Sequence, residues 1–218
     1  MTALAHTFPT PLGPVHLACD VEGVRFPAAP VGRPLREGTA TTWSLSGVVD
    51  VTLVVADVDF GFPDPIDGFV GAVWMVVAHA SVGPTTITAR LAADGRGGGF
   101  APGEGLCAIE YARRGLALAM GTDDDDALAR RVRGPRYVDS LPSQWGELMT
   151  PMDGPPTDFG TAIRGTALTV RLPPMPPRSR ADIHVATAWG RDGDDAAPWN
   201  AVDRASPARI LADALRDH

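Results

Sequence analysis

The sequence predicts an α+β, β-rich fold: an antiparallel sheet or β-sandwich with a helical insert around 104–149 and a C-terminal helix. Three observations predict it. Residues 42–56 alternate with period two, Trp43, Leu45, Val49, Val51, Leu53 and Val55 on one side and Ser44, Ser46, Asp50 and Thr52 on the other. That is the pattern of a strand with one buried face. With 24 glycines and 21 prolines in 218 residues, the chain is rich in turns and short elements. β-branched residues thin out over 104–149, where Ala, Leu, Arg and Glu take over, and return after 157.

The chain reads as one domain, 1–218. Residues 1–40 are turn-rich, with one strand expected at Val15–Cys19 and the rest an arm along the surface. Gly47 is expected to bend the strand over 42–56. Residues 70–80 are apolar on both faces and predict a central buried strand, followed by a turn at Val82–Thr85 and a second strand over 86–91; together they suggest a hairpin. Within the insert, Glu104–Met120 fits a helix with Gly115 as a weak point. A firmer helix follows, capped by Thr122, with Asp123–Asp126 at its positive end, Arg130, Arg131 and Arg133 at its negative end, and Gly134 and Pro135 as its stop. The C-terminal β segment, 157–203, has strands at Ala167–Leu172 and Asp182–Trp189 and a short edge strand at Trp199–Val202. Its strand, proline loop, strand layout resembles that of small β-sandwich modules. Ser206 then caps a terminal helix, 207–216, with Pro207 in its first position.

Composition removes several function classes. All 19 basic residues are arginines, so lysine Schiff-base chemistry and lysine-dependent phosphate loops are excluded. The net charge of −7 offers no basic footprint for nucleic acid. No stretch is long and apolar enough to suggest a membrane partner, and the N-terminus has no signal-peptide pattern. Cys19 and Cys107 have no framework or zinc spacing and read as buried thiols in a reducing, cytoplasmic setting. Arg130-Arg131-Val132-Arg133-Gly134-Pro135 is similar, over those few residues, to the Arg-x-x-x-Gly-x-Pro-Lys stretch of acetoacetate-decarboxylase-like proteins. It lacks the lysine that does their chemistry.

The sharpest chemical pair is Asp182 and His184. At i and i+2 on a strand they share a face, continued by Ala186, Ala188 and Gly190, so the carboxylate can orient the imidazole as a general base beside small neighbours. The bland alternative is the wet face of an outer strand. His79, in the most apolar stretch, reads as a core histidine with one hydrogen bond, and as a second catalytic candidate. The aspartates 57, 59, 64 and 67 fail the spacing of a calcium loop at Gly61 and Phe62 and read as a turn. Trp43, Trp74 and Trp189 belong to the core, whereas Trp145 and Trp199, in Pro/Gly/Asp-rich surroundings, would anchor an interface if exposed.

The expected function, reached by elimination, is a non-enzymatic, cytoplasmic, acidic, lysine-free module that acts by protein–protein contact or self-association as an assembly subunit. The rival is a small-molecule enzyme, a cofactor-free cyclase, isomerase or hydrolase, using Asp182, His184 or His79 in a cleft. Neither calls for a metal or a cofactor.

Overall fold

The computed structural model describes residues 4–27, 29–59, 61, 65–92, 99–128, 160–191, 193 and 196–215. Thirteen strands make two antiparallel sheets. The smaller has the order β1-β2-β7-β12-β11: Leu4–Phe8, Val15–Val21, Thr85–Leu91, Ala167–Leu172 and Gly160–Arg164. The larger has the order β3-β4-β5-β6-β13-β10-β9-β8: Val31–Pro34, Gly38–Leu45, Val49–Asp57, Gly68–Ala78, Ser179–Arg191, Leu116–Asp123, Leu106–Arg113 and Gly99–Phe100. Two helices close the chain, α1 (Ala197–Asp203) and α2 (Pro207–Leu215). The β-rich α+β class is therefore what forms.

The two sheets bury one core between them. The odd-numbered face predicted for residues 42–56 lies in it, as do Val15, Leu17 and Cys19 of β2, Ile87 of β7, Leu168 and Val170 of β12, and Trp74 stacked on Trp43 with ring centroids 5.9 Å apart. Gly47 does more than bend this segment: it turns it into the β4–β5 hairpin, with Leu45 opposite Val49. β6 is the central strand its two apolar faces require. One face joins the inter-sheet core; the other, with Phe69, Val73 and Met75, joins a second core under the helices.

That second core explains a run of small residues. Ala56, Gly71, Ala186, Gly121 and Ala108 stand opposite one another across β5, β6, β13, β10 and β9. A Cβ on Gly71 would lie 2.7 Å from Ile210 of α2, and one on Gly121 would lie 2.8 Å from Val202 of α1. The missing side chains let both helices settle against the sheet. Ser206 and Pro207 open α2 as expected, Ser206 Oγ accepting from Arg209 N at 3.3 Å.

Several expectations are corrected. The helical insert 104–149 does not hold over 106–123, where β9 and β10 form a hairpin inside the larger sheet. Arg114 and Gly115 both have positive φ, 56° and 78°, which makes a two-residue turn of the type that matches strand twist. Gly115 is the turn, not a flaw in a helix. Thr122 belongs to β10 and donates to His184 O at 2.6 Å, so it caps no helix. The helical turn begins at 125, and Asp124 caps it, accepting from Ala127 N at 2.8 Å. The remainder of that helix lies outside the described residues. β6 and β7 are not a hairpin: the chain changes sheets between them, tied by Val82 and Met175. The edge strand expected at 199–202 is part of α1. The strand expected at Val15–Cys19 forms as β2, but the rest of the supposed N-terminal arm supplies β1 and β3.

Candidate functional site

On β13 the predicted face is real. Arg180, Asp182 and His184 alternate with Ala181, Ile183 and Val185, which enter the inter-sheet core. The partners differ from those predicted. Asp182 Oδ1 accepts from Arg180 Nε at 2.7 Å, two residues back, and the guanidinium reaches Met75 Sδ of β6 at 3.4 Å. His184 instead has Asp123 of β10 across the sheet, Nδ1 3.4 Å from Oδ2. Nδ1 has no hydrogen-bond partner at bonding geometry.

This face is not wet. The side chains of Arg180 and Asp182 are 4% and 10% exposed, and that of His184 is 2% exposed. Four ionisable groups thus lie on a buried stretch of sheet that starts one row beyond the small residues that seat the helices, with His184 first and Asp182 and Arg180 following along β13. Arg180 and Asp182 match in charge, the guanidinium's contact with Met75 links β13 to β6, and the approach of His184 to Asp123 links β13 to β10. His79 is the opposite case. It is exposed just past β6, and its Nε2 lies 2.8 Å from Asp50 Oδ2. It is no core histidine, and it stands on neither of the buried pairs.

The described concave site lies elsewhere. An open hollow of about 460 Å³ is formed where the β8–β9 edge of the larger sheet meets β11 of the smaller. Phe100, Pro102, Gly103, Leu106 and Cys107 line it together with Asp124, Asp125, Asp126 and Thr161. Two of the aspartates are held in place: Asp124 by its cap, and Asp125 by Thr161 N, whose proton its Oδ1 accepts at 2.6 Å. Thr161 Oγ1 donates to Asp123 O at 3.0 Å. Burial, with the Asp125 and Asp124 charges adding, pushes the Cys107 thiol up to about 11. A thiol so disfavoured as thiolate is a poor nucleophile. Phe100 stands at the rim, 64% exposed.

None of the predicted site residues lines this hollow. Trp199 comes nearest, but it is half-buried and its indole N–H donates to Ala101 O at 3.0 Å, bracing the loop behind Phe100. It is a strut, not the exposed anchor expected. Trp145 lies outside the described residues, as does the Arg130–Pro135 stretch. Asp59, from the acidic loop, makes a turn, with Gly61 N donating to its carboxylate, while its own N–H donates to Asp213 Oδ2 at 2.6 Å. Among the described residues, no group of three or more His, Cys, Asp or Glu is placed to hold a metal ion, and no helix is long and apolar enough to cross a membrane.

No family model matches this chain, and no curated protein matches it at a significant level.

Three residues were missed from sequence. Asp123 was hidden in a run of four aspartates that capping seemed to explain. Arg180 sits at i−2 from Asp182, a spacing as close as that of His184. Phe100 is a single aromatic in a Gly/Pro-rich stretch, and that isolation was the available signal.

Proposed function

We propose that this chain is a non-enzymatic, cytoplasmic module that acts by protein–protein contact, as a subunit of an assembly. The observation that supports the reading is Phe100. A phenylalanine two-thirds exposed, on a two-residue edge strand, at the mouth of an open hollow, is costly to leave in water and suits an interface anchor. An edge strand supplies backbone groups for a partner's chain. The catalytic rival has less support. Asp182 is engaged by Arg180, His184 is buried away from the described hollow, and the Cys107 thiol beside the hollow is held protonated. The two cysteines remain free and buried, which fits a reducing compartment.

Panning a displayed peptide library against the wild-type chain and against Phe100→Asp tests the reading. Sequences enriched on the wild type should lose binding to the variant by about tenfold or more. Turnover of a hydrolase or isomerase substrate panel that survives Phe100→Asp and disappears in His184→Ala would overturn it.

A further inference from the structure

Two large hydrophobic side chains are exposed among the described residues, and they stand at opposite edges of one sheet. Val31 of β3 is 71% exposed and Phe100 of β8 is 64% exposed. Among the described residues, β3 and β8 are the end strands of the eight-stranded sheet, each paired on one side only. The two edges differ in charge. The segment 24–36, which contains β3, carries exposed Arg25, Arg33 and Arg36; Glu22 and Glu37 flank it, and Glu37 lies 3.8 Å from Arg36, which leaves Arg25 and Arg33 as the cations with no acid beside them in the segment. At the other edge, residues 99–110 carry Glu104 and Glu110 and no arginine, and Asp124, Asp125 and Asp126 line the hollow together with Phe100. Asp125 and Asp126 are exposed, and neither forms an ion pair with a described residue.

We propose that the β3 edge of one copy docks on the β8 edge of a second copy, so that the chain associates with itself head to tail. This rests on the binding-module reading above and names the partner. Val31 meets the hollow beside Phe100, and Arg33, two residues on, meets Asp125 and Asp126. The two symmetric alternatives are disfavoured: β3 against β3 opposes arginines, and β8 against β8 opposes aspartates. A contact between two different patches leaves one of each patch free on every dimer, so growth continues to a ring or a filament. The ladder it adds is short. β8 has two residues, and Pro34 of β3 has no N–H to give. The association is accordingly reversible and weakened by salt.

Sedimentation velocity across a wide concentration range, at low and high salt, tests this on the full chain. Wild-type mass should rise past that of a dimer at low salt and fall back at high salt. Val31→Asp and Phe100→Asp, both at exposed positions, should each remain monomeric, with association weakened about tenfold or more. Mixed in equal amounts, they should form a 1:1 dimer and stop, because each keeps the edge the other lacks. Wild type that stays monomeric, a variant that still self-associates, or a mixture that does not pair would each overturn the head-to-tail contact. Peptide binding that still depends on Phe100 would then leave the binding-module reading standing, and its loss would remove both.

Discussion

His184 is the neighbour of Asp123, not of Asp182. The imidazole Nδ1 lies 3.4 Å from the Asp123 carboxylate, which belongs to the adjacent strand, while Asp182, on the same strand and the same face, is turned towards Arg180. Strand spacing explains the choice. Residues two apart on one strand are separated by roughly 6.5–7 Å, which the long Arg180 side chain spans to reach Asp182 but the short His184 and Asp182 side chains do not, whereas neighbouring strands lie about 5 Å apart. A double-mutant cycle reads the difference. Asp123→Asn and His184→Phe should couple by about 1 kcal/mol or more, and Asp182→Asn and His184→Phe by clearly less. Equal coupling in the two cycles would contradict this arrangement.

Arg180 and Asp182 form a buried ion pair, and such a pair punishes the loss of one member. Asp182→Asn should lower the unfolding free energy by about 3–5 kcal/mol, because it strands the guanidinium against Met75. The double variant Arg180→Met with Asp182→Leu should recover most of that loss. Urea midpoints decide the matter, and a single variant as stable as the wild type would refute the burial.

Helix seating depends on the absent side chain at Gly71. Gly71→Ala sets a methyl 2.7 Å from two Ile210 carbons and should cost about 1–3 kcal/mol. Ile210→Ala, destabilising alone, should cost less in the Gly71→Ala background than in the wild type. Simple additivity of the two in thermal melts would show that α2 does not pack on β6 there.

The thiol of Cys107 should be slow to react and should make stability fall at high pH. Its folded value is raised from the ordinary 9.0 to about 11. A group raised in this direction contributes stability that is fully present below about 9 and is lost as pH rises through about 11. Tyr111, pushed up to about 12 by burial, extends the same loss upward. At pH 8, iodoacetamide should label native Cys107 about a hundredfold more slowly than it labels an exposed thiol, in line with the two-unit shift. Asp124→Asn with Asp125→Asn should speed the reaction. Labelling at the free-thiol rate would refute this account.

Where one physical rule governed a segment, the sequence carried the answer. The alternation over 42–56 named the face that enters the inter-sheet core, because period two follows from backbone geometry alone. It left the opposite face as the wet one, where Thr52, Val54 and Ala56 of β5 are also buried, the last two in the core under the helices. The two-sided apolar run at 70–80 required layers on both faces, and it received a second sheet on one and helices on the other. Ser206-Pro207 specified the start of the last helix through local hydrogen bonding. What local chemistry left open, tertiary structure decided. Residues 104–120 have helix-forming composition, yet Arg114-Gly115 turns them into a hairpin whose strands gain a place beside β13, and that packing outweighs propensity. Thr122 has the chemistry of a cap, and strand pairing gave its hydroxyl to His184 O instead. His79 lies in an apolar run and still emerges into water, since β6 ends one residue before it. The candidate site was the least legible part: Asp123 meets His184, and Phe100 lines one hollow with Asp124–Asp126, only because separate strands are brought together in the sheet. A single sequence fixes which residues share a face of a strand, but it does not fix which strand lies alongside.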